Sequence, residues 1–78
     1  MREKKNYRIF TFRTTTDAMA MEKQCIRHGI PGRMIPVPRE ISAACGLAWR
    51  MEAEEYPLYK EKIQSLQMEF QESVEIML

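Results

Sequence analysis

The pattern of apolar and polar positions predicts three strands with clear sequence signals. Residues 7–12 are rich in aromatic and β-branched side chains, which is typical of a strand. Leu47–Met51 alternates large apolar residues with small or charged ones, as a strand with one buried face would. Ser73–Leu78 shows a similar alternation and predicts a terminal strand.

Two helices are predicted between these strands. The first spans about Thr15–His28, where apolar residues recur at helical spacing. Threonines ahead of Asp17 supply N-caps, and Gly29 followed by Pro31 ends the helix. The second begins near Glu54–Pro57, where acidic residues and a proline suit the first turn. Its core-facing stripe comprises Tyr59, Ile63, Leu66 and Phe70.

The segment between the first helix and Leu47 contains two prolines. Arg33–Pro38 is short and apolar, but its prolines cannot donate to a sheet ladder, so we expect an edge strand or an extended loop. Residues 39–46 are polar to small. We expect them to be irregular, with room for one helical turn after Pro38.

The order strand, helix, strand, strand, helix, strand predicts a ferredoxin-like βαββαβ fold of the α+β class. Its four-stranded antiparallel sheet carries two helices on one face. The first and third strands are central, so the prolines fall on an edge strand, where they are tolerated. We expect one domain over residues 7–78 and a solvated arm over residues 1–6.

Composition and charge narrow the classes of function. The 78 residues include 12 basic and 11 acidic side chains, a formal charge of +1, so charge alone suggests neither a nucleic-acid nor a membrane partner. The longest uncharged stretch, residues 41–49, is far shorter than the roughly 20 residues that span a bilayer, and the start lacks a signal-peptide apolar region. We expect a cytoplasmic domain too small for independent catalytic turnover, with no cofactor.

The two cysteines are predicted to have different roles. Cys25 falls on the packed side of the first helix, which indicates core packing. Cys45 ends an irregular segment just before a central strand, a place where reactive groups are often displayed. The alternative is that Cys45 is a small apolar cap on the core. Two cysteines and one histidine, His28, cannot complete a zinc site without carboxylates, so we expect no metal.

Three neighbours could influence the Cys45 sulfur. Arg39 is a candidate to stabilise a thiolate, which is the nucleophilic form. Ser42 is a candidate hydrogen-bond donor, and Gly46 allows the backbone to bend or another group to approach. A helical turn over residues 39–44 would oppose activation, because Cys45 would then lie at its negative end.

Residues 36–46, PVPREISAACG, resemble the central motif of a small bacterial family of selenium/sulfur carrier protein-like domains. The family pattern is similar to Pro-x-Pro-Arg-x-Ile-Ser-x-x-Cys-Gly, and the likeness extends over about residues 7–78. The resemblance implies that Cys45 carries sulfur or selenium as a persulfide or perselenide. If Cys45 has this role, we expect donor and acceptor proteins as partners. We also expect Arg39 to help hold the thiolate, Ser42 and Gly46 to shape the segment around it, and Pro38 to stiffen the approach.

Two hypotheses of different classes follow. In the first, the chain is a carrier with an accessible Cys45 thiol. In the second, it is a non-catalytic interaction or ligand-sensing module in which residues 39–46 form a recognition surface. Its terminal strand would then pair with a partner, or with a second copy in a homodimer, at the sheet edge. Aromatic residues on the central strands could also stack on RNA bases, but the chain lacks the basic excess of such domains.

Overall fold

Six elements follow the predicted order along the chain. The computed structural model describes residues 5–78, with a sheet order of β2-β3-β1-β4 in which every pairing is antiparallel. The ferredoxin-like fold is confirmed, with β1 and β3 central and β2 and β4 at the edges. The elements are β1 (Asn6–Thr11), α1 (Thr15–Arg27), β2 (Arg33–Pro36), β3 (Leu47–Glu52), α2 (Tyr56–Ser65) and β4 (Glu72–Met77).

The strand register gives the sheet two different faces. Phe10 pairs with Trp49 across β1 and β3, and their side chains join a buried cluster with residues from both helices. Both helices therefore cover the same face, and neither aromatic ring is free to stack on a nucleic-acid base. Ile9 and Arg50, also paired, occupy the opposite face, which neither helix covers. The fully formed core comprises Phe10, Phe12, Ala18, Met21, Cys25, Ile30, Cys45, Trp49, Met51 and Ile63.

Helix α1 begins and ends close to its predicted limits. The Thr14 hydroxyl accepts a hydrogen bond from the Asp17 N–H at 3.1 Å, which is a standard N-cap. At the other end, Gly29 adopts a φ of +68°, and the N–H of Ile30 donates to the Cys25 carbonyl at 2.8 Å. The last helical residue is Arg27, one position before the predicted end.

Helix α2 is shorter than its apolar stripe predicts. Ile63 is buried and Leu66 packs against the core, as expected, but the helix ends at Ser65. The chain turns there because Gln67 adopts a φ of +52°, outside the right-handed helical region. Phe70 therefore lies beyond the helix and reaches the core from an irregular segment, with its ring 5.2 Å from that of Phe10.

One residue of the predicted arm belongs to the sheet, and the residue before it is hydrogen-bonded beside the sheet. Asn6 begins β1, and Lys5 exchanges backbone hydrogen bonds with Leu78. The Lys5 ammonium also lies 2.6 Å from a Glu52 carboxylate oxygen. The remaining residues of that prediction, 1–4, lie outside the described part of the chain. Within residues 5–78, no helix has both the length and the apolar character needed to cross a membrane.

Position 32 has no room for a side chain. Its φ is +140°, which side chains rarely adopt. A Cβ at this position would lie 2.6 Å from both the Trp49 indole nitrogen and the Arg50 carbonyl oxygen. The backbone before β2 can therefore pack on the buried Trp49 ring only if residue 32 has no side chain.

We expect Gly32→Ala to lower the free energy of unfolding by about 2–4 kcal/mol, through backbone strain and overpacking against Trp49. Gly46→Ala is the matched control, because a Cβ there meets no atom of residues 5–78 within 4 Å and the backbone has no positive φ. Urea unfolding monitored by Trp49 fluorescence measures both variants. Equal stability of the two variants would contradict the steric role of Gly32.

Candidate functional site at Cys45

Cys45 lies where three segments of the chain meet. Its backbone N–H donates to the Phe12 carbonyl, just after β1, at 3.1 Å. Its sulfur lies 3.7 Å from the hydroxyl oxygen of Thr15, the first residue of α1. The N–H of Leu47, the first residue of β3, donates to the same sulfur at 3.4 Å. The thiol is thus fixed by the end of β1 and the beginnings of α1 and β3.

The antiparallel pairing of β1 with β3 produces this meeting point. Thr11, at the end of β1, pairs with Ala48 near the start of β3. Helix α1 begins four residues after Thr11, so its first turn lies beside the residues that lead into β3. The N-terminal end of a helix carries partial positive charge and unpaired N–H groups, which favour an anionic sulfur nearby.

The segment before Cys45 is not helical. The N–H of Ile41 donates to the Pro38 carbonyl at 3.0 Å, which closes a single turn, and the chain is irregular from there to Gly46. The helical turn allowed by the sequence does not form, so no negative helix end faces the thiol. The nearest helix terminus is instead the positive end of α1.

Cys45 is buried, and the expectation of an accessible thiol needs correction. Only 7% of the residue is exposed, and it belongs to the hydrophobic cluster between the sheet and the helices. The cause is its position immediately before a central strand, where the side chain packs inward beside Thr15. In this conformation, Cys45 occupies the place of the small apolar cap that the sequence allowed as an alternative.

The other predicted site residues surround Cys45 in sequence but do not contact its sulfur. Arg39 and Ser42 are exposed, and within residues 5–78 neither makes a hydrogen bond to the sulfur. Pro38 supplies the carbonyl of the turn that follows β2, and the Gly46 carbonyl accepts the Val37 N–H at 3.0 Å. These residues shape the segment and do not donate to the thiol.

Two groups that contact the sulfur were not predicted from the sequence. Thr15 stands in the threonine run that predicts the N-cap, and the antiparallel pairing of the first and third strands was the signal that could have placed it near Cys45. The Leu47 contact is a backbone N–H, which any residue except proline would supply. No side-chain pattern could have identified it.

The side chain of Gln71, just before β4, holds the segment that leads to Cys45. The Gln71 amide oxygen accepts the N–H of Ala44 at 3.2 Å. The backbone N–H of Gln71 in turn donates to the Thr11 carbonyl at 2.6 Å. Because Gln71 is anchored to β1, it holds the residue before Cys45 against the sheet.

Cys25 occupies the core position predicted for it. It is completely buried on the inner face of α1, and burial raises the pKa of its thiol from 9.0 to about 11. An uncharged, unreactive thiol is what such an apolar environment favours. Within residues 5–78, no three His, Cys, Asp or Glu side chains come together as a metal site would require.

The raised pKa of Cys25 predicts a loss of stability at alkaline pH. The unfolded thiol ionises near pH 9, whereas the folded thiol stays protonated to about pH 11, so the free energy of unfolding falls across this interval. We expect this group to account for a loss of roughly 2–3 kcal/mol. Urea unfolding at both pH values, under reducing conditions, should show a smaller loss for Cys25→Ala than for wild type. A Cys45→Ala control should retain the Cys25 contribution, and an unchanged loss in Cys25→Ala would contradict the prediction.

A family model matches residues 6–75, nearly the whole chain. The family is described as "Putative Se/S carrier protein-like". No curated protein and no solved structure matches the chain. The match includes both Cys25 and Cys45, together with every element of the fold except the end of β4.

Proposed function

Because the chain belongs to this selenium/sulfur carrier-like family, we propose that it holds a sulfur or selenium atom on Cys45 and hands it to an acceptor. Donor and acceptor proteins are the partners that such a role requires. The chain supplies a thiol and a binding surface and needs no cofactor of its own. The cytoplasm, where thiols stay reduced, is the compartment that suits this chemistry.

The contrast between the two thiols is the observation that carries the proposal. The Cys45 sulfur has a backbone N–H at 3.4 Å, a hydroxyl at 3.7 Å and the positive end of α1 beside it. Cys25 lies in apolar surroundings, where burial raises its pKa to about 11. A thiolate or persulfide anion is stabilised by hydrogen-bond donors and positive partial charge. Cys45 therefore suits the role of chalcogen carrier, and Cys25 suits the core.

Transfer of sulfur to and from Cys45 requires no added oxidant or metal, because each step exchanges one thiolate for another. The Cys45 thiolate attacks the terminal sulfur of a donor persulfide, the donor sulfur–sulfur bond breaks, and the donor leaves as a thiolate. Cys45 now carries a persulfide. An acceptor thiolate then attacks that outer sulfur and regenerates the Cys45 thiolate. A perselenide follows the same steps with selenium as the transferred atom.

Because Cys45 is only 7% exposed, each step requires residues 37–46, which include Cys45, to move so that the sulfur leaves the core and reaches the partner. Few hydrogen bonds oppose this movement: the Cys45 N–H to Phe12, the Ala44 N–H to Gln71, and the contacts of the sulfur with the Leu47 N–H and the Thr15 hydroxyl. The segment has no helix or strand of its own, so docking of a partner has little regular structure to disrupt.

Arg39 and Ser42 fit a role in partner recognition better than a role at the resting thiol. Both are exposed on the segment that must move, and the turn at Pro38 fixes where that segment leaves β2. An exposed guanidinium can pair with a carboxylate or an anionic chalcogen group on the partner. In our proposal, Arg39 and Ser42 approach the sulfur only when the donor or acceptor is bound.

Cys45→Ser should abolish the gain of one sulfur or selenium mass that wild type shows after incubation with a persulfide or perselenide donor. Cys25→Ser should still be labelled, although it will be less stable because a polar group replaces a core thiol. Intact-mass spectrometry followed by peptide mapping measures both. Equal labelling of wild type and Cys45→Ser would contradict the carrier function.

Gln71→Ala should increase the rate at which an alkylating reagent modifies Cys45. The variant loses one hydrogen bond, worth about 1 kcal/mol. This raises the equilibrium constant for opening of residues 37–46 roughly fivefold. Gln64→Ala, an amide removed from the exposed surface of α2, is the control and should not change the rate. An unchanged rate in Gln71→Ala would show that residues 37–46 do not limit access to the thiol.

A second candidate function is an interaction module, and the position of β4 favours it. This strand pairs with β1 on one side only, so its other edge can add a strand from a partner or from a second copy. Mass spectrometry discriminates the two functions. A chalcogen adduct on Cys45 favours the carrier, whereas a Cys45 that is unmodified and resists alkylation favours the module.

A further inference from the structure

A polar pocket lies at the opposite end of β3 from the Cys45 thiol. β3 begins beside Cys45 at Leu47 and ends at Glu52, about 17 Å away at the usual rise of an extended strand. The pocket has a volume of about 220 Å³ and is lined by Tyr7, Gly32, Arg33, Arg50, Glu52 and Glu55. It is therefore separate from the proposed chalcogen site.

Two arginines stand opposite each other in this pocket. Arg33 on β2 and Arg50 on β3 are direct register partners, so both side chains project from the same face of the sheet. Like charges placed directly opposite across two strands destabilise a sheet. Within residues 5–78, neither guanidinium forms a salt bridge or a hydrogen bond. The charges of Glu52 and Glu55 in the same pocket offset this repulsion in part, and a bound anion would add direct hydrogen-bond partners for both guanidinium groups.

The Arg50 guanidinium has a fixed orientation. Its central carbon lies 4.6 Å from the centre of the Tyr7 ring, in a cation–π contact. Stacking of this kind uses the flat face of the guanidinium and leaves its N–H edge free to bind two oxygens of one anion. Arg33, on the neighbouring strand, supplies a second set of donors to the same space.

The two acidic residues of the pocket differ in their pairing. Lys5 holds the Glu52 carboxylate at 2.6 Å, and its hydrogen bond and positive charge lower the pKa of Glu52. Glu55 forms no salt bridge with residues 5–78. A carboxylate in an anion site repels a fully ionised ligand but accepts a hydrogen bond from a ligand that retains a hydroxyl group. Hydrogen phosphate has such a hydroxyl at neutral pH, whereas sulfate has none.

We propose that Arg33 and Arg50 bind hydrogen phosphate, with its protonated oxygen toward Glu55. Both guanidinium groups donate to the ionised oxygens, and Glu55 selects phosphate over sulfate. The pocket accommodates one such group. Because the site is distant from Cys45, it adds a ligand to the chain and does not depend on the proposed chalcogen transfer.

Amide chemical shifts in a titration with inorganic phosphate, at constant ionic strength and neutral pH, test the proposal. We expect saturable shifts around Gly32, Arg33 and Arg50, and weaker shifts with sulfate. Arg33→Gln and Arg50→Gln should each weaken phosphate binding by about tenfold or more, because each removes charge-assisted hydrogen bonds. Arg27→Gln, which removes an equal charge from the exposed surface of α1, is the matched control and should leave binding unchanged.

Two further variants separate specific binding from general charge effects. Glu55→Gln should reduce the preference for phosphate over sulfate, because an amide no longer requires a ligand hydroxyl. Cys45→Ser should bind phosphate as wild type does. The phosphate site and chalcogen transfer on Cys45 are therefore tested separately. Glycerol 3-phosphate, whose phosphate group is mostly doubly ionised at neutral pH and then carries no hydroxyl, should bind more weakly than hydrogen phosphate, and equal or tighter binding would contradict the role of Glu55.

Absence of saturable shifts at the pocket would overturn the proposal, as would equal weakening by Arg27→Gln and Arg33→Gln. Where the NMR spectrum of a variant is poor, its melting temperature with and without phosphate is a second measure of binding. Phosphate should raise the melting temperature of wild type more than that of Arg50→Gln. An equal rise in both proteins would also overturn the proposal.

Discussion

The antiparallel pairing of β1 with β3 is the constraint on which both ends of this small domain depend. At one end, it brings the first turn of α1 beside Cys45, so that the sulfur lies within hydrogen-bond distance of the Thr15 hydroxyl as well as the Leu47 N–H. At the other end, it aligns Tyr7 with the strand that carries Arg50, and the ring fixes the guanidinium. A slip of one residue would turn every side chain of β1 to the wrong face and remove both arrangements.

The two thiols are both buried, but they differ in the groups that surround them. Cys25 and Cys45 are both covered, so exposure alone does not distinguish them. Cys25 sits among apolar side chains of the helix-covered core, whereas Cys45 sits where a backbone N–H, a hydroxyl and a helix start converge. The second environment places polar groups beside the sulfur as well as excluding water. A covered carrier thiol would also be protected from oxidation between transfers.

The sequence predicts the fold well because its signals are local. Aromatic and β-branched residues mark β1, the threonine cap marks α1, and Pro36 is compatible with an edge strand. The site is predicted less well because the contacts with its sulfur join residues far apart in the chain. Proximity in sequence suggested Arg39 and Ser42, but the sulfur instead meets Thr15, thirty positions away, and a backbone amide. The end of α2 was also misplaced, since nothing in its apolar spacing encodes the left-handed conformation of Gln67.

The attachment of Cys45 has a consequence for how any hand-over would be organised. Only Gly46 separates this residue from a central strand, so the sulfur cannot swing between distant sites even when residues 37–46 move. In the proposed carrier role, both partners would have to come to the same end of the domain, and each would block the other while it is bound. Donor and acceptor would therefore alternate, and the loaded protein would have to dissociate from the first before it engages the second.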